Sequence, residues 1–353
     1  MSSPFDTPEK KTLTQRLFEP KSVEAQALVP KIATYAVLFF WTLVVLFPLY
    51  WVVVTSFKSE SDVFSGPFYL PFVDFQPNLD AWRFMLIDNN TLGPYVNSVV
   101  VAAGSTFLSV LIGSLAAYAL VRIRFQVKFA AIGCFLLLLA AVVVAVAALG
   151  IAWPIASVVA IVLFLLFLGT IGRRFRLAIG NNDIEFWMIS NRIMPPIVAV
   201  LPIYVMFQHL HLLDTQVALI ATYTAVNLPI VVWLTRDFFA GIPLDLEESA
   251  EIDGASKFRV FFTIALPLVR SGLVATLLLV LILAWNEYLL ALFLSNANAQ
   301  TMPVLVSAQN TTRGPQWWYM SVLIVIMIAP VIVIATFLQK HIARGLLAGA
   351  VKG

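Results

Sequence analysis

Long apolar runs separated by short polar stretches set the pattern of this chain, and most of the runs are long enough to cross a bilayer as a helix. The first extends from about Ile32 to Phe57; it reaches roughly 39 Å at the helical rise, enough to cross a ~30 Å hydrocarbon core with tilt. A second run, about Tyr95 to Val121, follows a polar and aromatic segment from Lys58 to Pro94 that is rich in Pro, Asp, Asn and Trp. Two more, Phe129–Leu149 and Ile151–Ile171, meet at Gly150-Ile151-Ala152-Trp153-Pro154 and form a hairpin. Later runs occupy about Ile184–Phe207, Val217–Thr235, Ser271–Leu294 and Trp317–Leu338. The pattern predicts an all-α polytopic membrane protein with eight spans.

The polar stretches divide the chain and orient it. Residues 1–30 carry both signs of charge and lack the short apolar core and small-residue cleavage site of a removable signal, so they read as an attached cytoplasmic tail. Residues 31–126 hold the first two spans and an external loop, and residues 127–179 an inserted transmembrane hairpin. Residues 180–340 form a helical core containing a polar loop at 237–270, and residues 341–353 a second cytoplasmic tail. With both termini inside, the external loops hold Lys58, Arg83 and Arg313, Arg192 lies within a span, and the rest of the 22 basic residues fall on the cytoplasmic side. That asymmetry obeys the positive-inside rule. No charge interrupts the hairpin between Phe129 and Gly172, which favours a lipid-facing accessory pair over a site for a partner helix.

Composition narrows the class. At 353 residues, 61% hydrophobic and 12% charged, the chain is unlike a soluble protein. The single cysteine, Cys134, lies in an apolar run, which excludes an internal disulfide and a cysteine-based metal site. His209, His211 and His341 lack zinc spacing, so no metal site is expected. The phosphate-loop pattern Gly-x-x-x-x-Gly-Lys-Ser/Thr occurs nowhere, so the chain is expected to hold no nucleotide of its own. No catalytic constellation is present either, and neither an enzyme nor a nucleic-acid partner is expected.

Polar and aromatic groups inside the spans mark a candidate pathway, because such groups are costly in lipid and need a reason. They are Asn191, Arg192, Tyr223, Asn227, Asn286, Glu287 and Tyr288. Amides, phenols and a few charges suit hydroxyl-rich ligands, whose hydroxyls both donate and accept. Bland roles compete with this: Trp285 and Tyr288 as part of an interfacial aromatic belt, and Asn227 as a partner for a carbonyl freed by Pro229. An ion pair between Arg192 and Glu287 is disfavoured, since helical rise sets them about 9 Å and about 24 Å from the cytoplasmic side.

One polar island stands out between two apolar runs. In Glu248-Ser249-Ala250-Glu251-Ile252-Asp253-Gly254-Ala255 and on through Phe262, Ile264, Leu266 and Pro267, the residues predict two short helices with a turn between them. Pro243 suits a first helical turn, Gly254 a left-handed stop, Ser256 a cap for the second helix and Pro267 a break before the next span. This sequence resembles the signature cytoplasmic loop of inner-membrane permease subunits in binding-protein-dependent sugar ABC importers, the branch that includes the second membrane subunit of the maltose transporter. Ser249 stands where that pattern usually has Ala, and Arg270 where a Pro often follows. The likeness covers about residues 30–126 and 180–353 and ends in Gly345-Leu346-Leu347-Ala348-Gly349-Ala350-Val351-Lys352-Gly353; the hairpin lies outside it.

The resemblance implies a six-helix importer core plus the inserted hairpin, in a bacterial inner membrane. It implies that Glu248, Ala250, Asp253, Gly254, Ala255, Leu266 and Pro267 belong to a surface that docks in a cleft of the ATPase and passes on its closure. The partners implied are a second permease subunit, two ATPase subunits that hold ATP and Mg, an external solute-binding protein and membrane lipid. The solute implied is a sugar, sugar alcohol or similar polyhydroxylated compound, moved by alternating access. A secondary carrier driven by an ion gradient is the alternative, and a membrane scaffold a third reading.

Overall fold

The computed structural model describes residues 28–124, 127–170, 178–193, 195–312 and 314–350, which are helical almost throughout. The principal helices are α1 (Leu28–Thr55), α2 (Leu92–Arg122), α3 (Phe129–Leu149), α4 (Trp153–Gly169), α5 (Asn181–Ile193) and α6 (Pro196–His209), followed by α7 (Gln216–Ala240), α8 (Leu244–Ile252), α9 (Arg270–Trp285), α10 (Leu289–Leu294) and α11 (Trp317–Ala350). Two antiparallel ladders of two residues a side join Val127–Lys128 to Ala178–Ile179, and Asn310–Thr311 to Gly314–Pro315. The first of these closes the base of the α3–α4 hairpin.

Among the described residues five helices are long and apolar enough to cross a membrane: Val29–Thr55, Leu92–Arg122, Phe129–Val146, Gln216–Ala240 and Trp317–Thr336. A sixth is reached only by joining Lys257–Leu268 to α9, and that pair is bent by 83°. The expected eight spans are therefore not present as eight continuous helices. The run at 184–207 is split, because Pro195 has extended backbone (φ −57°, ψ 128°) and α6 restarts at Pro196; a residue before proline avoids the helical region. The 14 residues of α6 reach only ~21 Å. The run at 271–294 is interrupted after Trp285, where α9 ends and Asn286 leaves helical geometry (φ −95°, ψ 6°). α4 has 17 residues and starts late, at Trp153-Pro154.

The chain divides into two compact units. In the first, residues 28–90 and 306–328, the polar segment after α1 is ordered by its own side chains. Ser59 and Asp62 make a reciprocal capping box at Glu60–Ser65, and Asp74 accepts the backbone N–H of Tyr69 and Leu70 at 2.9 and 2.8 Å. Lys58 is buried, donates to the Phe68 carbonyl at 2.5 Å, and lies 4.4 Å from the Trp51 ring centroid and 5.2 Å from that of Phe75. Burial pushes its ammonium pKa below the ordinary 10.5, against the opposing pull of Asp62 and Asp74.

The second unit is built on α2 and α7, which lie side by side along most of their lengths. A Cβ added at Gly113 would stand 2.5 Å from Val231 Cγ1, and one at Gly272 of α9 would stand 2.5 Å from the Phe238 ring. Glycine at these points lets the backbones approach closely, as in membrane helix packing generally. Between α2 and α7, Ser109 donates to the Thr224 carbonyl at 3.3 Å. α5 is tied to the ends of both helices: Asn181 donates to the carbonyl of Ile123 at 2.7 Å, and Glu185 pairs with Arg236.

Candidate functional site

The polar island folds as an elbow of short helices between α7 and α9. Pro243 takes extended backbone (φ −59°, ψ 132°) as the N-cap of α8, one residue before the first helical turn. Asp245 and Glu247 sit in that turn, where carboxylates suit the partial positive charge of the helix start. α8 stops at a left-handed Gly254 (φ +89°), with the Ala255 N–H returning to the Ala250 carbonyl at 2.9 Å. Ser256 then caps Lys257–Val260 through the Arg259 N–H. A π-helical turn, Phe261–Ala265, and a last short turn, Leu266–Leu268, lead to the sharp bend at Val269.

One acid of the elbow is buried and satisfied twice over. Glu247 Oε1 accepts from Arg122 Nε at 2.9 Å and from its terminal nitrogen at 2.7 Å, while Oε2 accepts from Tyr118 Oη at 2.7 Å. The same guanidinium donates to the carbonyls of Phe239 and Ile242 at 3.1 and 2.9 Å, in the turn that closes α7, where the Phe239 carbonyl also accepts the Ile242 N–H at 3.2 Å. Arg122 is the last residue of α2, where a cation suits the negative helix end. The side chains of Arg122 and Glu247 are only 10% and 5% exposed, so the pair works in a medium where an unpaired charge would be expensive. Sequence reasoning selected Glu248 and passed over Glu247. The signal was the Glu247-Glu248 doublet on a half-buried helix, where only one acid can face water, together with an arginine ending an apolar helix.

The other acid faces outward. Glu248, Asp253, Gly254 and Pro267 are exposed, and Ala250, Ala255 and Leu266 are half-buried. Beside them lie exposed apolar side chains: Leu244, Leu246, Ile252, Phe258 and Phe262. Ile252 is 87% exposed and Phe258 70%, values that place whole apolar side chains on the outside of a polar loop. The Glu248 carboxylate accepts no hydrogen bond from a described residue, whereas Glu251 is paired with Lys257 across the turn.

The candidate pathway residues separate into two groups. Tyr223, Asn227 and Glu287 line one small cavity of about 50 Å³ together with Val226, Leu283 and Leu290. Tyr223 Oη donates to the Glu287 carbonyl at 3.3 Å, and Glu287 Oε1 accepts the Leu290 N–H at 3.0 Å, restarting the helix as α10. Asn286 is exposed and returns its amide to the Ile282 carbonyl at 2.8 Å, and Tyr288 is exposed at the break. Trp285 is buried and meets Tyr95 edge-on at 6.0 Å, so it belongs to the core and not to an aromatic belt. Asn191 and Arg192 fall in the last turn of α5, and their side chains lie outside the described residues.

A second polar cluster was not legible in the sequence. Asp214, in left-handed backbone (φ +58°), accepts the N–H groups of Asn296, Asn298 and Ala299 at 2.7, 3.0 and 2.9 Å. Burial alone would raise its carboxyl pKa, but these backbone donors outweigh it and hold the group below its ordinary 3.8. Next to this clasp Asn97 of α2 donates to the carbonyls of Asn298 and Gln300 at 2.8 and 3.0 Å, and Gln216 of α7 donates to Asn97 Oδ1 at 2.7 Å.

Comparison with known proteins bears on this arrangement. The profile of the family described as binding-protein-dependent transport system inner membrane component matches residues 184–347, which include the elbow and the helix break. The chain is 30% identical to the probable ABC transporter permease protein y4oR of Sinorhizobium fredii, over 89% of this chain and 94% of that protein. It is also 30% identical to the trehalose/maltose transport system permease protein MalG of Thermococcus litoralis, over 88% of this chain and 93% of that one. The diacetylchitobiose uptake system permease protein NgcG of Streptomyces coelicolor is 27% identical, over 88% and 85%. Among solved structures, a bacterial ABC transporter involved in the import of the acidic polysaccharide alginate shares the fold, with a TM-score of 0.61 at 20% identity over 96% of this chain and 99% of that one. Likeness at this level across most of both sequences, on a chain that carries several membrane-crossing helices, makes this protein a member of the binding-protein-dependent transport family, a multi-pass inner-membrane permease of an ABC transporter.

Proposed function

We propose that this permease serves an importer of a sugar, sugar alcohol or similar polyhydroxylated solute, and that its elbow is the surface on which ATPase subunits dock. Both termini and the elbow then lie on the cytoplasmic side, ATP and Mg are held by two ATPase subunits, and a second permease subunit and an external solute-binding protein complete the assembly. The observation that carries the docking reading is the outer face of α8 and the turn that follows it. Leu244, Leu246, Ile252 and Phe258 are exposed beside the Glu248 carboxylate, which meets no donor among the described residues, while Glu247 turns inward onto Arg122. Apolar groups next to an outward-facing acid match a partner cleft that offers apolar walls and a basic or amide group.

The solute class is supported by the relatives named for trehalose and maltose and for diacetylchitobiose, and by the phenol, amide and carboxylate of Tyr223, Asn227 and Glu287 facing one cavity. Nothing in the geometry favours the ion-gradient carrier, since Glu287 Oε1 is engaged with the Leu290 N–H as a helix cap. The hairpin at 127–179 is an accessory pair outside the transport core on this reading.

The test is Gly254→Asp, with Glu248→Lys as a milder companion. A side chain at φ +89° costs about 1–2 kcal/mol and disturbs the turn between the two docking segments. No atom stands within 4 Å of a Cβ at this position, so the cost falls on the turn and not on packing. The expected result is normal insertion, intact ligand binding by the solute-binding protein, and loss of ATP-driven uptake of maltose or diacetylchitobiose by vesicles. Full uptake by a well-expressed Gly254→Asp protein would overturn the docking reading.

A further inference from the structure

We propose that Tyr118, Arg122 and Glu247 form a latch that makes α8 and the membrane helix α2 move as one body, and so act as positioning residues that carry displacement of the elbow into the membrane. The proposal rests on the elbow being the ATPase-docking surface. Chain connectivity alone does not supply this linkage. The elbow joins α7 through the turn Gly241-Ile242-Pro243 and joins α9 through the 83° bend at Val269, so both covalent connections are corners. Neither end connects to α2 at all.

The side chains supply what the chain does not. Glu247 and Arg122 are 125 positions apart, yet the guanidinium meets the carboxylate through Nε and a terminal nitrogen at 2.9 and 2.7 Å. The second carboxylate oxygen is taken by Tyr118 Oη, one helical turn back on α2. With both oxygens bound from α2, α8 can neither slide nor rotate against that helix without breaking a charge-assisted bond in a buried setting. The Tyr118 ring extends the contact, lying 5.6 Å from Phe239 at the end of α7 and 5.2 Å from Phe261 in the later part of the elbow. Arg122 also holds the Phe239 and Ile242 carbonyls, so the ends of α2 and α7 and the start of α8 converge on one guanidinium. Lysine cannot replace this planar fork, because a single ammonium does not span the carboxylate and two carbonyls in the same geometry. From this point α2 and α7 run together to the Tyr223 and Asn227 cavity. A contact that only stabilised the loop would not require the elbow and α2 to keep a constant separation during ATP binding.

That separation is the measurement. Spin labels at Ser249→Cys on the exposed side of α8 and at Leu108→Cys on the exposed side of α2, in a Cys134→Ser background, report it in the assembled complex with its ATPase subunits in lipid nanodiscs. In the parent, the distance distribution is expected to be the same without nucleotide and with MgATP and vanadate. In Glu247→Gln and Arg122→Lys the nucleotide is expected to shift it by several ångströms, with a smaller shift in Tyr118→Phe, which keeps the ring packing and carries the test if the charge variants fail to assemble. A shift in the parent as large as in the variants overturns the latch, and so does a constant separation in every variant. Failure of the docking reading is seen separately, as Ser249→Cys that reacts with maleimide equally fast with and without ATPase subunits.

Discussion

α2 and α3 are both long, apolar helices, and the more apolar of the two is the less buried. The best window of α3 has a mean hydropathy of 3.0 and is 6% buried, whereas that of α2 has 2.1 and is 39% buried. In water the order would be reversed. In lipid, apolarity gives no drive toward other helices, because acyl chains solvate Leu and Val as well as protein does. What holds α2 inside is its run of small and hydroxyl residues, Ser105, Ser109, Gly113 and Ser114, and its polar ends: Asn97 on the loop near Asn298, and Arg122 on Glu247. α3 instead meets α4, with Phe135 edge-on to Phe164 at 5.9 Å, and is pinned at its base by the short ladder at Val127–Lys128.

That contrast can be broken with one residue type. Gly113→Leu places a side chain where even a Cβ stands 2.5 Å from Val231 Cγ1, and the expected loss is about 3 kcal/mol or more, with aggregation in detergent or a large fall in melting temperature. Gly133→Leu on α3, where no atom lies within 4 Å, is expected to leave the melting temperature unchanged. Equal effects at the two positions would show that α3 is packed as tightly as α2.

A middle-sized effect is expected at the clasp on the other end of α2. Asp214 has a folded pKa below its ordinary 3.8, so its contribution is complete above the unfolded value and disappears as pH falls through the lower folded value. Asp214→Asn keeps the size but weakens three backbone bonds. The variant is therefore expected to melt earlier than the parent at neutral pH and to match it in strong acid. A constant difference across pH would mean that the charge is not what holds the loop. The smallest effect is expected from removing the hairpin. Deletion of about residues 127–172 should leave uptake per assembled complex unchanged even if expression falls, and a deleted protein that inserts but no longer assembles with its ATPase would make the hairpin a partner site.

By itself the sequence determined what local chemistry decides. The two-helix elbow, the left-handed Gly254 and the Ser256 cap follow from residues within a few positions of one another and are present, whereas of the eight apolar runs five form continuous membrane-length helices among the described residues. Tertiary structure decided what depends on partners distant in the chain. Which member of the Glu247-Glu248 pair turns inward depends on an arginine 125 residues away, and periodicity within α8 carries no information about it. The breaks in the runs at 184–207 and 271–294 are local as well, set by the extended Pro195 and by the Glu287 cap on the Leu290 N–H, but average hydropathy does not register them. The meeting of Tyr223 and Asn227 with Glu287, and the separation of Asn286 and Tyr288 from them, were set by how α7 lies against the α9–α10 break. In a lipid solvent apolar faces do not choose their neighbours, so the choice falls to sparse polar and small residues whose partners lie far off in the chain.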